Sequence, residues 1–174
     1  MIRNALASDA KAIAQVHVSS WQDAYQNLMP AAYLKALEAT LPQRESGWKR
    51  SIESGDCDVL VAQVNEQVVG WISIGASRDE DAAGRSTGEV MALYVLATHW
   101  QTGVGLALWN AGLQRLLEHG YQAMTLWVLA GNERAIRFYR KAGCTEDAGS
   151  ERDLQRGGMQ LVEVRYRLCF PETR

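Results

Sequence analysis

The sequence predicts a mixed α/β domain: a mostly antiparallel sheet of about seven strands with helices on both faces. Three observations predict it. Residues 90–96 are apolar throughout behind a single charge, Glu89, the pattern of a strand buried on both sides. After a glycine turn and a helix-forming stretch comes a second strand-like run, 121–129. Two strands joined by a helix should be parallel neighbours with a right-handed crossover. At the C-terminal end the pattern changes to strict alternation. Val162, Val164, Tyr166, Leu168 and Phe170 face one way and Glu163, Arg165 and Arg167 the other, as in a half-exposed antiparallel strand. A length of 174 residues allows a sizeable core, and residues 1–174 read as a single domain.

In chain order, residues 2–6 read as a short first strand, and Ser8 or Asp9 can cap the helix that follows. Ala10, Ile13, Ala14, Trp21 and Ala24 recur on it at helical spacing, and His17 shares the stripe as a packed histidine. Pro30 suits the first turn of a second helix over 30–39; Pro42 opens a third over 42–54, with Trp48 and Ile52 on one face and Gly55 as its stop. This two-helix insert has no chemical signature and is expected to wall a cleft. Strands over 57–64 and 68–77 form a hairpin through Asn65, Glu66 and Gln67. Residues 78–85, with three acids and Gly84, read as a solvated loop. Gly103 and Gly105 open a helix whose apolar stripe is Leu106, Trp109, Leu113, Leu116 and Leu117. After strand 121–129, Asn132 is a natural cap for a helix over 133–142, with Ala135, Phe138, Tyr139 and Ala142 on its buried face. A sixth strand begins at 143–147, and 148–158 reads as a polar loop ending in Gly157 and Gly158.

Bulk properties exclude several function classes. A net charge of −2 gives no general attraction to nucleic acid or anionic membranes. No run approaches transmembrane length, and the N-terminus, with Asp9 and no long apolar stretch, does not read as a signal peptide. Cys57, Cys144 and Cys169 are odd in number and lack metal-ligand spacing, which points to a reduced, cytoplasmic protein without a metal centre.

The strand–glycine–helix unit at 87–106 has chemical content. It gathers unpaired N–H groups at a positive helix end, which suits an anion and above all a phosphate. A Walker loop is excluded, because no Gly-Lys-Ser/Thr triplet occurs. A dinucleotide fingerprint is excluded too: position 108 is leucine, and 124–129, where an acid is wanted, is mostly apolar. From the glycines alone, an anion loop bound through backbone and a bare glycine turn remain equally open.

A second segment decides between them. Together, WQTGVG at 100–105 and NERAIRFYRKAGC at 132–144 resemble the GNAT acyltransferase superfamily. Gly103 and Gly105 match its Arg/Gln-x-x-Gly-x-Gly/Ala motif, with Trp100 standing in the first position. Asn132, Ala135, Tyr139 and Gly143 match the block that follows, with Cys144 replacing an aromatic. The resemblance spans nearly the whole chain, and it implies a GNAT-like fold in which the central parallel pair splays apart to admit the coenzyme.

It also implies acetyl-CoA as co-substrate. The pantetheine arm would pair with backbone of Leu93, Tyr94 and Val95, and the pyrophosphate would sit on N–H groups of Gln101, Thr102, Gly103, Val104, Gly105 and Leu106. Asn132 would contact pantetheine. Trp21 and Tyr25 would face the acceptor or belong to the core. The N-terminal stretch with Trp21, Tyr25 and Pro30 resembles members acting on small molecules such as phosphinothricin.

The chemistry needs a base and an acid. An alkylammonium with a pKa of about 10.4 is free base in only about one molecule in a few thousand at pH 7, and the departing thiolate needs a proton. Glu89, in an apolar strand, is the candidate base, its alternative being a solvated strand-start residue. Tyr139 is the candidate acid, its alternative a core aromatic. The implied activity is acetyl transfer to a primary amine of a small or amino-acid-like molecule, directly within a ternary complex and with no covalent role for Cys144. Acetylation of protein N-termini or lysines, or non-catalytic acyl-CoA sensing, are the alternatives. A homodimer is the default assembly.

Overall fold

The structure is a computed structural model describing residues 1–82 and 86–171. The elements are β1 (Ile2–Asn4), α1 (Ala10–Ala24), α2 (Ala31–Ala36), α3 (Leu41–Ser54), β2 (Asp58–Val64), β3 (Gln67–Ala76), β4 (Thr87–Val95), α4 (Val104–Glu118), β5 (Ala123–Leu129), α5 (Glu133–Lys141), β6 (Thr145–Glu146), β7 (Arg152–Arg156) and β8 (Met159–Cys169). Among the described residues they form an eight-stranded sheet in the order β1-β2-β3-β4-β5-β8-β6, with β7 also paired to β8.

β3 shows how the sheet is clothed. Trp71 packs with Ile13, Val16 and Trp48 of α1 and α3 on one face, while Ile72 and Ile74 pack with Leu108, Trp109 and Leu116 of α4 on the other. α5 joins the α4 side through Ile136 and Tyr139. The hairpin between β2 and β3 turns on Asn65 and Glu66, both with positive φ (46° and 64°), so Gln67 already belongs to β3. No helix of the described residues is long and apolar enough to cross a membrane.

The central pair behaves as the sequence implies. β4 and β5 are parallel, but they pair only over Thr87–Glu89 with Ala123–Thr125. Beyond that, β4 stays with β3 and β5 with β8, so the two strands diverge into an open V.

Two expectations are corrected. The buried stripe of α4 is Leu108, Trp109, Gly112 and Leu116, whereas Leu106 and Leu117 are exposed. Leucines surround this helix, so periodicity does not choose the face. Gly112 does: a Cβ there would lie 2.7 Å from Ile72 Cδ1, so the helix presses its bare backbone onto the sheet. The second correction is β7. Residues 152–156 form a strand, with Gly157 and Gly158 as the turn of a hairpin with β8. This eighth strand carries a single apolar side chain, Leu154, too few for a strand pattern to show in sequence.

Candidate active site

A cavity of about 1170 Å³ occupies the V between β4 and β5. Its walls come from β4, the loop before α4, the end of β5, α5, the second half of α1, and β7. In the β4–β3 ladder the Leu96 N–H donates to the Val69 carbonyl at 2.9 Å, so the hydrogen-bonded positions are 96, 94 and 92. Leu93 and Val95 therefore turn their main-chain groups towards the V, while Tyr94 spends its own on β3 and offers the cavity only its side chain. The Val95 carbonyl is occupied by Trp100 Nε1 (2.8 Å) and Ser20 Oγ (3.3 Å). What remains open to an incoming strand-like chain is the Val95 N–H and both groups of Leu93.

Below β4 the chain turns through Gln101 (φ 61°) and Gly103 (φ 88°) into α4. Gly103 is required by that backbone conformation; nothing lies within 4 Å of where its Cβ would be, so the space over it is free. The first N–H groups of α4 point into this space. Trp100 is pinned by its bond to Val95, and the Arg134 guanidinium lies 3.5 Å from the centre of its ring. Arg134 occupies the first turn of α5, where the helix end is already positive, and burial pushes its pKa down. The indole face offsets part of that cost. With Arg137, Arg140 and Lys141 also lining it, this half of the cavity is strongly cationic. Asn132 caps α5 by accepting the Ala135 N–H at 3.3 Å, which leaves its amide N–H₂ for the cavity.

Glu89 lies at the apex of the V with 3% of its side chain exposed. Glu89 is buried as its apolar strand implies, and it is also paired. Glu89 Oε2 accepts the Arg78 backbone N–H (2.9 Å) and Nε (3.1 Å), and Oε1 accepts Nη2 (2.5 Å). One acceptor position on Oε1 is unused by these bonds. The segment from 78 is likewise more than a solvated loop. Asp79 accepts Trp127 Nε1 at 3.0 Å and pairs with Arg165, which also holds Asp81 and Asp147. Positions 83–85 of that expected loop, Gly84 included, lie outside the described residues. Tyr139 lines the cavity at 9% exposure, its pKa raised well above the usual phenol by burial and then by neighbouring Tyr94 and Cys144. Its hydroxyl is therefore a proton donor at neutral pH. Burial also pushes the Cys144 thiol up to about 11.

At the other end of the cavity lie Ser20, Trp21, Ala24, Tyr25 and Met29 of the α1 region, facing Trp127, Leu154, Arg152 and Arg156. Trp21 and Tyr25 meet edge to face at 5.3 Å. Behind them, His17 stacks on Tyr94 at 5.1 Å, and burial followed by Arg44 pushes its pKa down to about 3. The two-helix insert does not wall the cavity. Leu34 and Leu37 pack behind Tyr25 and Met29, and Tyr33 packs against the Gly157 turn of the β7–β8 hairpin. Among the described residues, no three His, Cys, Asp or Glu side chains gather to hold a metal ion.

The GNAT acetyltransferase family model matches residues 18–144, across the loop, α5 and the splayed pair. The chain belongs to the GNAT acetyltransferase family. It is an N-acetyltransferase with acetyl-CoA as co-substrate. It is 34% identical over 164 residues to an uncharacterized N-acetyltransferase of Bacillus subtilis, YuaI, covering 94% of this chain and 89% of that one. In fold it is similar to the PaiA N-acetyltransferase of Thermoplasma acidophilum in complex with coenzyme A (TM-score 0.76, 17% identity, 98% of each chain). It is also similar to YncA of Salmonella typhimurium with acetyl-CoA (TM-score 0.75, 22% identity, 100% of this chain and 95% of that). The co-substrate fits this GNAT chain: an open stretch of the β4 edge, the first N–H groups of α4, and Arg134 and Arg137, which pair with no carboxylate among the described residues, lie along one cavity.

All expected site residues fall on or beside that cavity, except that Thr102 and Val104 contribute to the loop without lining it. Arg78, Arg134, Trp127, Arg152 and Arg156 were not anticipated. Arg78, Trp127 and Arg152 are held by partners elsewhere in the chain, Glu89, Asp79 and Glu163, and Arg156 is placed by the unforeseen strand β7; the position of Arg134 between the matched Asn132 and Ala135 was a usable signal.

Proposed function

We propose that this GNAT protein acetylates a primary amine of a small molecule by direct transfer in a ternary complex. The observation that supports it is the single continuous cavity. It contains Glu89 and Tyr139 with the glycine loop on one side and Trp21 and Tyr25 on the other. In this reading the pantetheine arm lies along Leu93 and Val95 and beside Asn132. The pyrophosphate rests on the first N–H groups of α4, and Arg134, seated on Trp100, brings the cation that the first motif position supplies elsewhere in the family. Bound acetyl-CoA supplies the thioester. The chain supplies alignment and two proton positions: Glu89 receives the ammonium proton at its open Oε1 position, and Tyr139 gives its proton to the leaving sulfur. Cys144, buried and protonated, forms no acyl intermediate.

A small acceptor is favoured over a folded protein because the acceptor end is covered. The β7–β8 hairpin reaches over to Tyr33, and Leu154 packs with Tyr25, Met29 and Leu129. The test is thiol release from acetyl-CoA with a panel of amines, amino acids and N-terminal peptides. Release with small amines is expected. Release with peptides alone would contradict the reading, and coenzyme binding without release for any acceptor would make the protein a sensor.

A further inference from the structure

The acceptor half of the cavity carries more positive charge than a bare amine site should. Its carboxylates are Glu89 and Glu163, and each is already held by an arginine: Glu89 by Arg78 at 2.5 Å, Glu163 by Arg152 at 2.8 Å. A third arginine, Arg156, lines the same space. Its hydrogen bond is to the Gln155 carbonyl at 2.8 Å, and no carboxylate among the described residues pairs with it. Three guanidinium groups against two carboxylates leave one positive charge uncompensated. An ammonium entering this lobe meets a field of its own sign, which water weakens because the arginines are solvent-exposed.

The placement of Arg156 is built into the fold. Arg152, Leu154 and Arg156 are alternate residues of β7 and share one face. Leu154 packs with Tyr25 and Met29, which turns that face to the acceptor end. The hairpin tip beyond Arg156 is fixed by the contact between Gly157 and Tyr33. Arg152 lies 4.0 Å over the Trp127 ring, so an apolar floor separates the arginines from the strand beneath.

We propose that the acceptor carries a carboxylate beside its amine, as an amino acid does, and that Arg156 receives that carboxylate. The inference rests on the N-acetyltransferase reading of the same site. One carboxylate balances the one uncompensated guanidinium, and a planar bidentate pair is what arginine makes best with such a group. An acceptor that is neutral overall then enters the lobe without repulsion, its amine directed to Glu89 at the apex.

The experiment compares matched acceptors that differ only at the carboxylate: the common amino acids, their carboxamides and the corresponding decarboxylated amines. For at least one side chain the acid is expected to exceed its amide in kcat/KM by about 10- to 100-fold, the worth of one charge-assisted bond. Arg156→Gln should abolish that preference, raising KM for the acid and, by removing the repelling charge, lowering it for the amide, and Arg156→Lys should restore part of it. Calorimetry of the acid with the coenzyme A complex should show the same loss in affinity. Equal rates for acids and amides would overturn the inference and leave amine acetylation standing. A preference that survives Arg156→Gln would overturn the assignment to this side chain. Transfer to no amine at all would overturn the reading of the site, and the inference with it.

Discussion

Glu89 shows what a sequence does and does not reveal about a single side chain. Its place in an apolar strand and its approach to the cavity were legible, because periodicity reports burial. Its partner was not, because Arg78 meets it across the turn between two strands, a contact set by the β3–β4 register. The pairing changes what a substitution does. Glu89→Gln removes the acceptor for the ammonium proton and also frees Arg78. Turnover should fall by about 10²–10⁴-fold near neutral pH, and much of the loss should return as pH rises, because solution then supplies free amine. A pH–rate profile checks this; a deficit constant with pH would assign Glu89 to holding Arg78 alone. Tyr139→Phe should behave in the opposite sense, its deficit persisting or growing at high pH while coenzyme affinity holds. His17 yields a stability prediction. It is neutral when folded, with a pKa near 3 against an ordinary value of 6.5. The unfolded chain therefore binds the extra proton between those values, and stability falls as pH drops below about 6.5, by up to about 1.4 kcal/mol per pH unit. His17→Phe should flatten that part of a denaturation series run from pH 7 to 4. An unchanged slope would mean that other groups govern acid sensitivity.

At the scale of elements, the strand–loop–helix unit was legible from its pattern and the β7–β8 hairpin was not. Strand β4 announces itself by seven consecutive apolar residues at 90–96. β7 has Leu154 alone, and it is a strand because β8 and a Gly-Gly turn make it one. The loop unit also departs from expectation at Trp100. Trp100 stands where the family motif carries a polar residue, and α5 delivers Arg134 to its face. Arg134→Ala should weaken acetyl-CoA binding by about tenfold, and Trp100→Ala should lose part of the same energy, about 0.5–2 kcal/mol. The double variant should lose less than the sum, because the two side chains act as one unit. Titration of coenzyme A into the four proteins measures this, with pantetheine, which lacks the phosphates, as the control that should be indifferent. Additive losses would separate the two residues. Gly103→Val should weaken binding as well, chiefly because a β-branched residue resists the left-handed backbone found there.

At the scale of the molecule, the fold and the chemistry meet in the divergence of β4 and β5. Three paired positions hold the strands together at the top, Glu89 is the last of them, and the cavity opens where pairing stops. The covering of the acceptor end by α1 and the β7–β8 hairpin, with α2 packed behind them, was out of reach from sequence. It depends on packing between segments more than a hundred residues apart, Tyr33 with Gly157 among them. In the proposed reading donor and acceptor occupy one space together, and Cys144, buried with its thiol pKa pushed up to about 11, carries no acetyl group between them. Initial velocities measured while both acetyl-CoA and an accepted amine are varied test this most directly. Direct transfer predicts reciprocal plots that intersect, and no acetyl group on the protein after incubation with acetyl-CoA alone. Parallel lines, with a stoichiometric acetyl group on the protein, would contradict it.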